Sequence, residues 1–79
     1  MRIISQGGHA DLPYERTQLC SNTENVMARC DGKEYLMGSY ATYEKAIKAM
    51  EMCRRYYDNR SSITEPKIFR FPADEEVRV

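Results

Sequence analysis

Residues 42–59, TYEKAIKAMEMCRRYYDN, read as one amphipathic helix, and that reading decides the fold. Thr42 offers its hydroxyl to a free amide of the first turn, and Glu44 sets a negative charge near the positive end of the helix dipole. Tyr43, Ala46, Ile47, Met50, Cys53 and Tyr57 recur at three- and four-residue steps and form an apolar stripe. Glu44, Lys45, Lys48, Glu51, Arg55 and Asp58 fill the opposite face, with Glu44–Lys48 and Glu51–Arg55 as favourable four-residue pairs. Arg54 and Arg55 suit the negative end of the dipole, and Asn59 tolerates the left-handed conformation that ends a helix.

The flanking residues read as short strands. Asn25–Cys30 and Lys33–Tyr40 are extended runs joined by Asp31-Gly32, the pair expected in a type I′ hairpin turn. That turn sets a register: Cys30 opposite Lys33, Ala28 opposite Tyr35 and Val26 opposite Met37 on the more apolar side, expected under the helix. Arg29 opposite Glu34 and Met27 opposite Leu36 then share the other side, which the apolar pair suggests is partly covered by a second subunit. Arg2–Ser5 is a β-branched run stopped by Gln6-Gly7-Gly8, and a second extended segment runs from Leu12 through Cys20, with Pro13 favouring a sheet edge. Ser21–Asn25 is a polar turn cluster. Arg60–Pro66 is a loop of small and polar residues, and Lys67–Phe71 alternates as a strand with Phe69 and Phe71 on one face. The expected fold is α+β: one small antiparallel sheet of four to five short strands against one helix. Residues 1–73 form a single domain and 74–79 an acidic, mobile tail.

A chain of 79 residues hides only about 60–65% of its unfolded surface, so a lone core is marginal. Cys20, Cys30 and Cys53 are odd in number and widely spaced, which argues against a disulfide framework and for a reducing interior. A zinc site would need those three and His9 to converge from four elements, so no metal or other cofactor is expected. Self-association is the remaining source of stability. Twelve basic residues balance twelve acidic ones, which implies no general nucleic-acid binding. No apolar run approaches the roughly 20 residues of a membrane span, and MRIISQGG lacks a signal-peptide core, so a cytoplasmic protein is expected.

Candidate chemistry is confined to three stretches. In Arg54-Arg55-Tyr56-Tyr57-Asp58-Asn59-Arg60, guanidiniums and phenols suit a phosphate and a stacked base; the plainer reading puts Tyr57 in the core and the arginines in water. In Phe69-Arg70-Phe71, two rings beside an arginine suit a ligand pocket, or else two core residues and a solvated cation. In Gln6-Gly7-Gly8-His9-Ala10-Asp11, the glycines can present amides to an anion, yet the spacing matches no phosphate loop and a plain turn suffices. Carboxylates form no evident catalytic pair, and no catalytic residue is assigned.

The opening MRIISQ, the DLPYE at 11–15, the YATYEKAIKAMEM helix and the closing FRFPADEEV resemble small proteins encoded in phages and prophages of Gram-positive anaerobes. The likeness covers most of the chain and is weakest between Thr17 and Gly32 and between Asn59 and Pro66. Many of those proteins carry an insertion between the helix and the FRFP strand, where this chain has a short loop. In size and setting they resemble inhibitors of bacterial defence, and the layout is similar to the anti-Thoeris sponge family. The resemblance implies a homo-oligomeric protein of the host bacterial cytoplasm that sequesters a cyclic nucleotide or a cyclic ADP-ribose-type signal without turnover. Arg54, Arg55, Arg60 and Arg70 would then neutralise phosphates, and Tyr56 and Phe71 would stack the base. Two alternatives remain: an anti-CRISPR-like inhibitor that binds a host defence protein through its acidic tail or the Lys67–Phe71 strand, and a structural phage accessory protein.

Overall fold

Arg2–Ile4 (β1), Asp11–Pro13 (β2), Gln18–Asn22 (β3), Asn25–Cys30 (β4), Lys33–Ser39 (β5) and Ile68–Arg70 (β6) surround one helix, Tyr43–Asp58 (α1). The computed structural model describes residues 1–58 and 67–79. Among these the fold is α+β, but the strands do not form one antiparallel sheet. They form two sheets of three, ordered β2-β1-β6 and β3-β4-β5. The first is mixed, because β6 returns from the helix parallel to β1, with Phe69 beside Ile3. Backbone bonds from Arg2 N to Lys67 O at 2.9 Å and from Phe71 N to Ile4 O at 3.0 Å extend that pairing at both ends.

The β4–β5 hairpin follows its turn chemistry. Asp31 and Gly32 both take positive φ, 53° and 80°, as a type I′ turn requires. Cys30–Lys33, Arg29–Glu34, Ala28–Tyr35 and Met27–Leu36 pair as expected. The next pair does not, since a bulge between Val26 and Met27 sets Val26 opposite Gly38. The extra residue keeps both Met37 and Gly38 buried. The extended run expected from Leu12 to Cys20 is interrupted by a 3₁₀ turn at Tyr14–Arg16, leaving β2 and β3 in different sheets.

Helix α1 is capped as its sequence demands, the Lys45 backbone nitrogen donating to Thr42 Oγ1 at 3.2 Å. Its buried seam is Ala46, Ala49 and Cys53, small residues that let the backbone approach β3 and β4. Tyr43 and Ile47, expected in the core, stay exposed. Ile3, Leu12, Phe69 and Phe71 fill the core from the first sheet's side, and Val26, Ala28 and Met37 from the second. Gln6 ties the sheets together. Its backbone nitrogen donates to Met37 O at 2.7 Å, its Nε2 donates to Pro72 O at 2.9 Å, and its Oε1 accepts from Ser39 N at 3.0 Å.

The acidic segment is not the mobile tail expected for 74–79. Asp74–Glu76 form a 3₁₀ turn, Glu76 Oε1 accepts from Ala73 N at 2.8 Å, and Val77 is buried in the core. Val77, the apolar residue past the three acids, anchors the segment together with the contacts that Asp74 makes to Ala41 and Lys45. No described helix is long and apolar enough to cross a membrane.

Candidate functional site

Tyr14 leaves the edge of β2 in the 3₁₀ turn and meets Tyr57, in the last turn of α1. Their ring centroids lie 4.8 Å apart at 40°. This pair floors one end of a cleft of about 560 Å³ between α1, the 3₁₀ turn and the start of β3. Leu19, Ile47 and Met50 form its apolar wall, while Glu15, Glu51 and Arg54 supply charge. The volume lies within the range of small-molecule sites, about 300–1,000 Å³.

The charges are unequal in availability. Glu15 accepts from the Met1 amino group at 2.7 Å. Glu51 lies 3.7 Å from Lys48 Nζ and 3.6 Å from Arg55 Nη2. Among the described residues Arg54 has no ion pair, so its planar fork of donors can meet an incoming anion. Burial, followed by the Cys53 thiol and the Asp58 carboxylate, pushes the Tyr14 phenol above the ordinary tyrosine value, with Arg54 pulling the other way. Tyr14 therefore stays neutral at physiological pH and keeps a hydroxyl proton to donate.

The residues singled out in the sequence are not brought to one place. Arg54 and its neighbour Tyr57 line the cleft. Arg55 is exposed and turned to Glu51. Tyr56 is half exposed, packs on Phe69 at 5.7 Å, and lies under Lys67 Nζ at 5.0 Å from its ring centroid. Phe69 and Phe71 stack edge to face at 5.2 Å, and Phe71 is only 1% exposed. The expectation that Phe71 stacks a base is thus corrected, for its ring is a core residue with no face to offer. Arg70 alternates with Phe69 along β6, so it stands on the opposite side of the sheet from Tyr56 and reaches toward Gly8. Arg60 lies outside the described residues.

Tyr14, Leu19, Ile47 and Met50 were not foreseen as site residues. Tyr14 and Tyr57 are over forty positions apart, and no periodicity reports such a pairing. The helix did carry a signal. Ala46, Ala49 and Cys53 make a complete seam by themselves, and the bulkier Ile47 and Met50 flank it. Comparisons of the chain with protein families, with characterised proteins and with solved structures give no match.

Proposed function

We propose that this chain is a non-catalytic binding protein that sequesters a phosphorylated, ring-bearing small molecule of the cyclic nucleotide or cyclic ADP-ribose class in the α1–β3 cleft. In this reading it serves a phage as a sponge for a host defence signal. The setting comes from the sequence resemblance. The observation that supports a ligand is the Arg54 guanidinium, without an ion pair among the described residues, beside the Tyr14–Tyr57 ring pair in an open cleft. A guanidinium forms short, charge-assisted bonds to phosphate oxygens, and a tyrosine face accepts a nucleobase. Sequestration needs affinity alone. A micromolar dissociation constant corresponds to about −8 kcal/mol, within reach of two or three such bonds with stacking. Of the six residues first considered, only Arg54 lines the cleft; Arg55 is turned to Glu51, and Tyr56 and Arg70 face elsewhere.

The test is thermal denaturation with cyclic dinucleotides, cyclic ADP-ribose isomers, and inorganic phosphate as a control. A compound at 100-fold its dissociation constant adds about 2.7 kcal/mol to stability, a rise of several degrees or more for a domain this size. Arg54→Gln should melt like wild type alone and lose that rise. If no nucleotide shifts the wild-type protein, the reading fails.

A second reading rests on β6, the end strand of its sheet, with Ile68 exposed and no described strand on its outer edge. A strand of a host defence protein could add there. The acidic segment serves this reading less well, because Asp74 already pairs with Lys45 and Glu76 with the Ala73 amide. Co-purification of one host protein, lost on Ile68→Pro, would favour it.

A further inference from the structure

The outer face of the β3-β4-β5 sheet carries a pattern unrelated to the cleft. Cys20, Met27 and Leu36 stand in cross-strand register as one apolar row, with Leu36 53% exposed on the edge strand β5. Beside Leu36, over β3 and β4, lies a hollow of about 490 Å³ lined by Gln18, Cys20, Met27, Arg29 and Glu34. Toward the Asp31-Gly32 turn the next row is Gln18, Arg29 and Glu34, with Arg29 Nη2 2.9 Å from Glu34 Oε2. One face therefore bears a knob, a hollow beside it, and one charge of each sign.

We propose that this face is an isologous dimer interface, in which Leu36 of each copy fills the Cys20–Met27 hollow of the other. Its occupant is a second copy of this chain because the face is its own complement in shape and in charge. A two-fold axis running along β4 sets β5 of one subunit over β3 of the other, as a self-complementary patch requires. Each Glu34 then lies over Gln18 of the partner and within reach of the partner's arginine at the same position as Arg29. The two carboxylates and two guanidiniums alternate in sign, so the pairing of two Arg29 copies near the axis is offset. A strongly charged partner would find no net charge here to select it. Leu19 borders both hollows, but Cys20, Met27, Arg29, Glu34 and Leu36 do not line the α1–β3 cleft, so the interface is tested without reference to the proposed ligand.

Cross-linking gives a decisive geometry. Cys20 and Leu36 of one chain sit two strands apart, roughly 9–10 Å, beyond the reach of a disulfide. A bridge between Cys20 and a cysteine introduced by Leu36→Cys must therefore join two copies. The proposal expects sedimentation to give twice the 9.2 kDa chain mass for the reduced wild type. Oxidised Leu36→Cys should run as a covalent dimer, and Leu36→Cys with Cys20→Ser should not. Leu36→Glu should sediment as a monomer with an unchanged far-ultraviolet spectrum, and Tyr43→Glu, on the helix, should stay dimeric. Arg29→Glu should weaken association at least tenfold, and adding Glu34→Arg should restore it. Wild-type monomer at about 100 µM, where a micromolar interface would be saturated, overturns the proposal. So does a dimer that survives Leu36→Glu, or a Leu36→Cys bridge that forms equally well without Cys20.

Discussion

The Asp74 carboxylate accepts a hydrogen bond from the backbone nitrogen of Ala41 at 2.7 Å, fastening the C-terminal segment to the residue just ahead of the helix cap. Lys45 Nζ, one turn into α1, lies 3.2 Å from the other carboxylate oxygen. The segment thus closes over the helix start, and Tyr40 secures it from below by donating to Pro72 O at 2.8 Å.

This contact is acid-sensitive in a defined direction. The Ala41 amide first, and Lys45 second, hold the Asp74 pKa below its ordinary value of 3.8. A carboxyl whose folded pKa is lowered stabilises the fold above its unfolded pKa and loses that contribution as pH falls through the folded value. Wild type should therefore melt above Asp74→Ala at pH 6, and the gap should close below about pH 3.8. A gap that does not narrow at all as pH falls below 3.8 would mean the carboxylate charge is not the cause. Amide exchange at residues 73–77 should rise over the same range.

Two glycines should respond oppositely to their surroundings. Gly32 has a φ of 80° and nothing within 4 Å of an added Cβ, so Gly32→Ala costs only the left-handed backbone, about 1–2 kcal/mol. Gly38 has no such φ, yet an added Cβ would lie 2.7 Å from the Tyr40 ring and 2.8 Å from its hydroxyl oxygen. Gly38→Ala must move a buried ring and break its bond to Pro72, a loss larger than that of Gly32→Ala. In a Tyr40→Ala background most of the Gly38→Ala cost should disappear, since the two effects share one contact. Urea midpoints of the four proteins measure this directly.

The parts of the fold that local chemistry dictates were legible in the chain. Asp31-Gly32 specified the turn and, through it, four cross-strand pairs; Thr42 specified the cap. What local chemistry does not carry was missed. Met37 appears as an ordinary strand residue, yet it is the extra residue of the bulge, next to a Gly38 whose added Cβ would collide with Tyr40. The parallel return of β6 beside β1 is a long-range choice, set by the need of Phe69 and Phe71 to reach the core beside Ile3. Of the candidate site, Arg54 was legible as a helix-end cation, while its partner Tyr14 was not. The same long-range packing decided against Phe71, whose alternation with Phe69 fits a half-buried strand and a pocket equally well.

The three thiols should separate in reactivity. Cys53 is fully buried, and that burial pushes its thiol up to about 12. Cys30 is buried as well, while Cys20 is exposed. Thiolate is the reactive species, so a thiol probe should label Cys20 first. Cys30 and Cys53 should follow only at the rate of opening. One fast equivalent is expected in the wild type and none in Cys20→Ser. If the sheet face is covered by a second copy, dilution should speed labelling of Cys20 and leave the other two unchanged.

Arg54 and Phe71 divide the fold from the site, and their variants should fail in different ways. Phe71 is buried against Phe69, so Phe71→Ala opens a cavity worth about 3–5 kcal/mol, a large share of the 5–15 kcal/mol that holds a small domain. It should melt far below wild type whether or not a ligand is present. Arg54 is exposed, and Arg54→Gln removes no buried contact, so its unliganded melting point should stay within about a degree or two, as for most surface changes. The proposed ligand should then raise the melting temperature of wild type, Arg55→Ala and Arg70→Ala, but not that of Arg54→Gln. Arg70 lies across the sheet from the cleft, which makes Arg70→Ala the sharper control. Loss of the ligand effect in that variant, with Arg54→Gln unaffected, would move the site to the Gly8 side of the molecule. Tyr57→Leu completes the series by keeping apolar bulk while removing the ring, so it should weaken a base-bearing ligand and leave any response to inorganic phosphate unchanged.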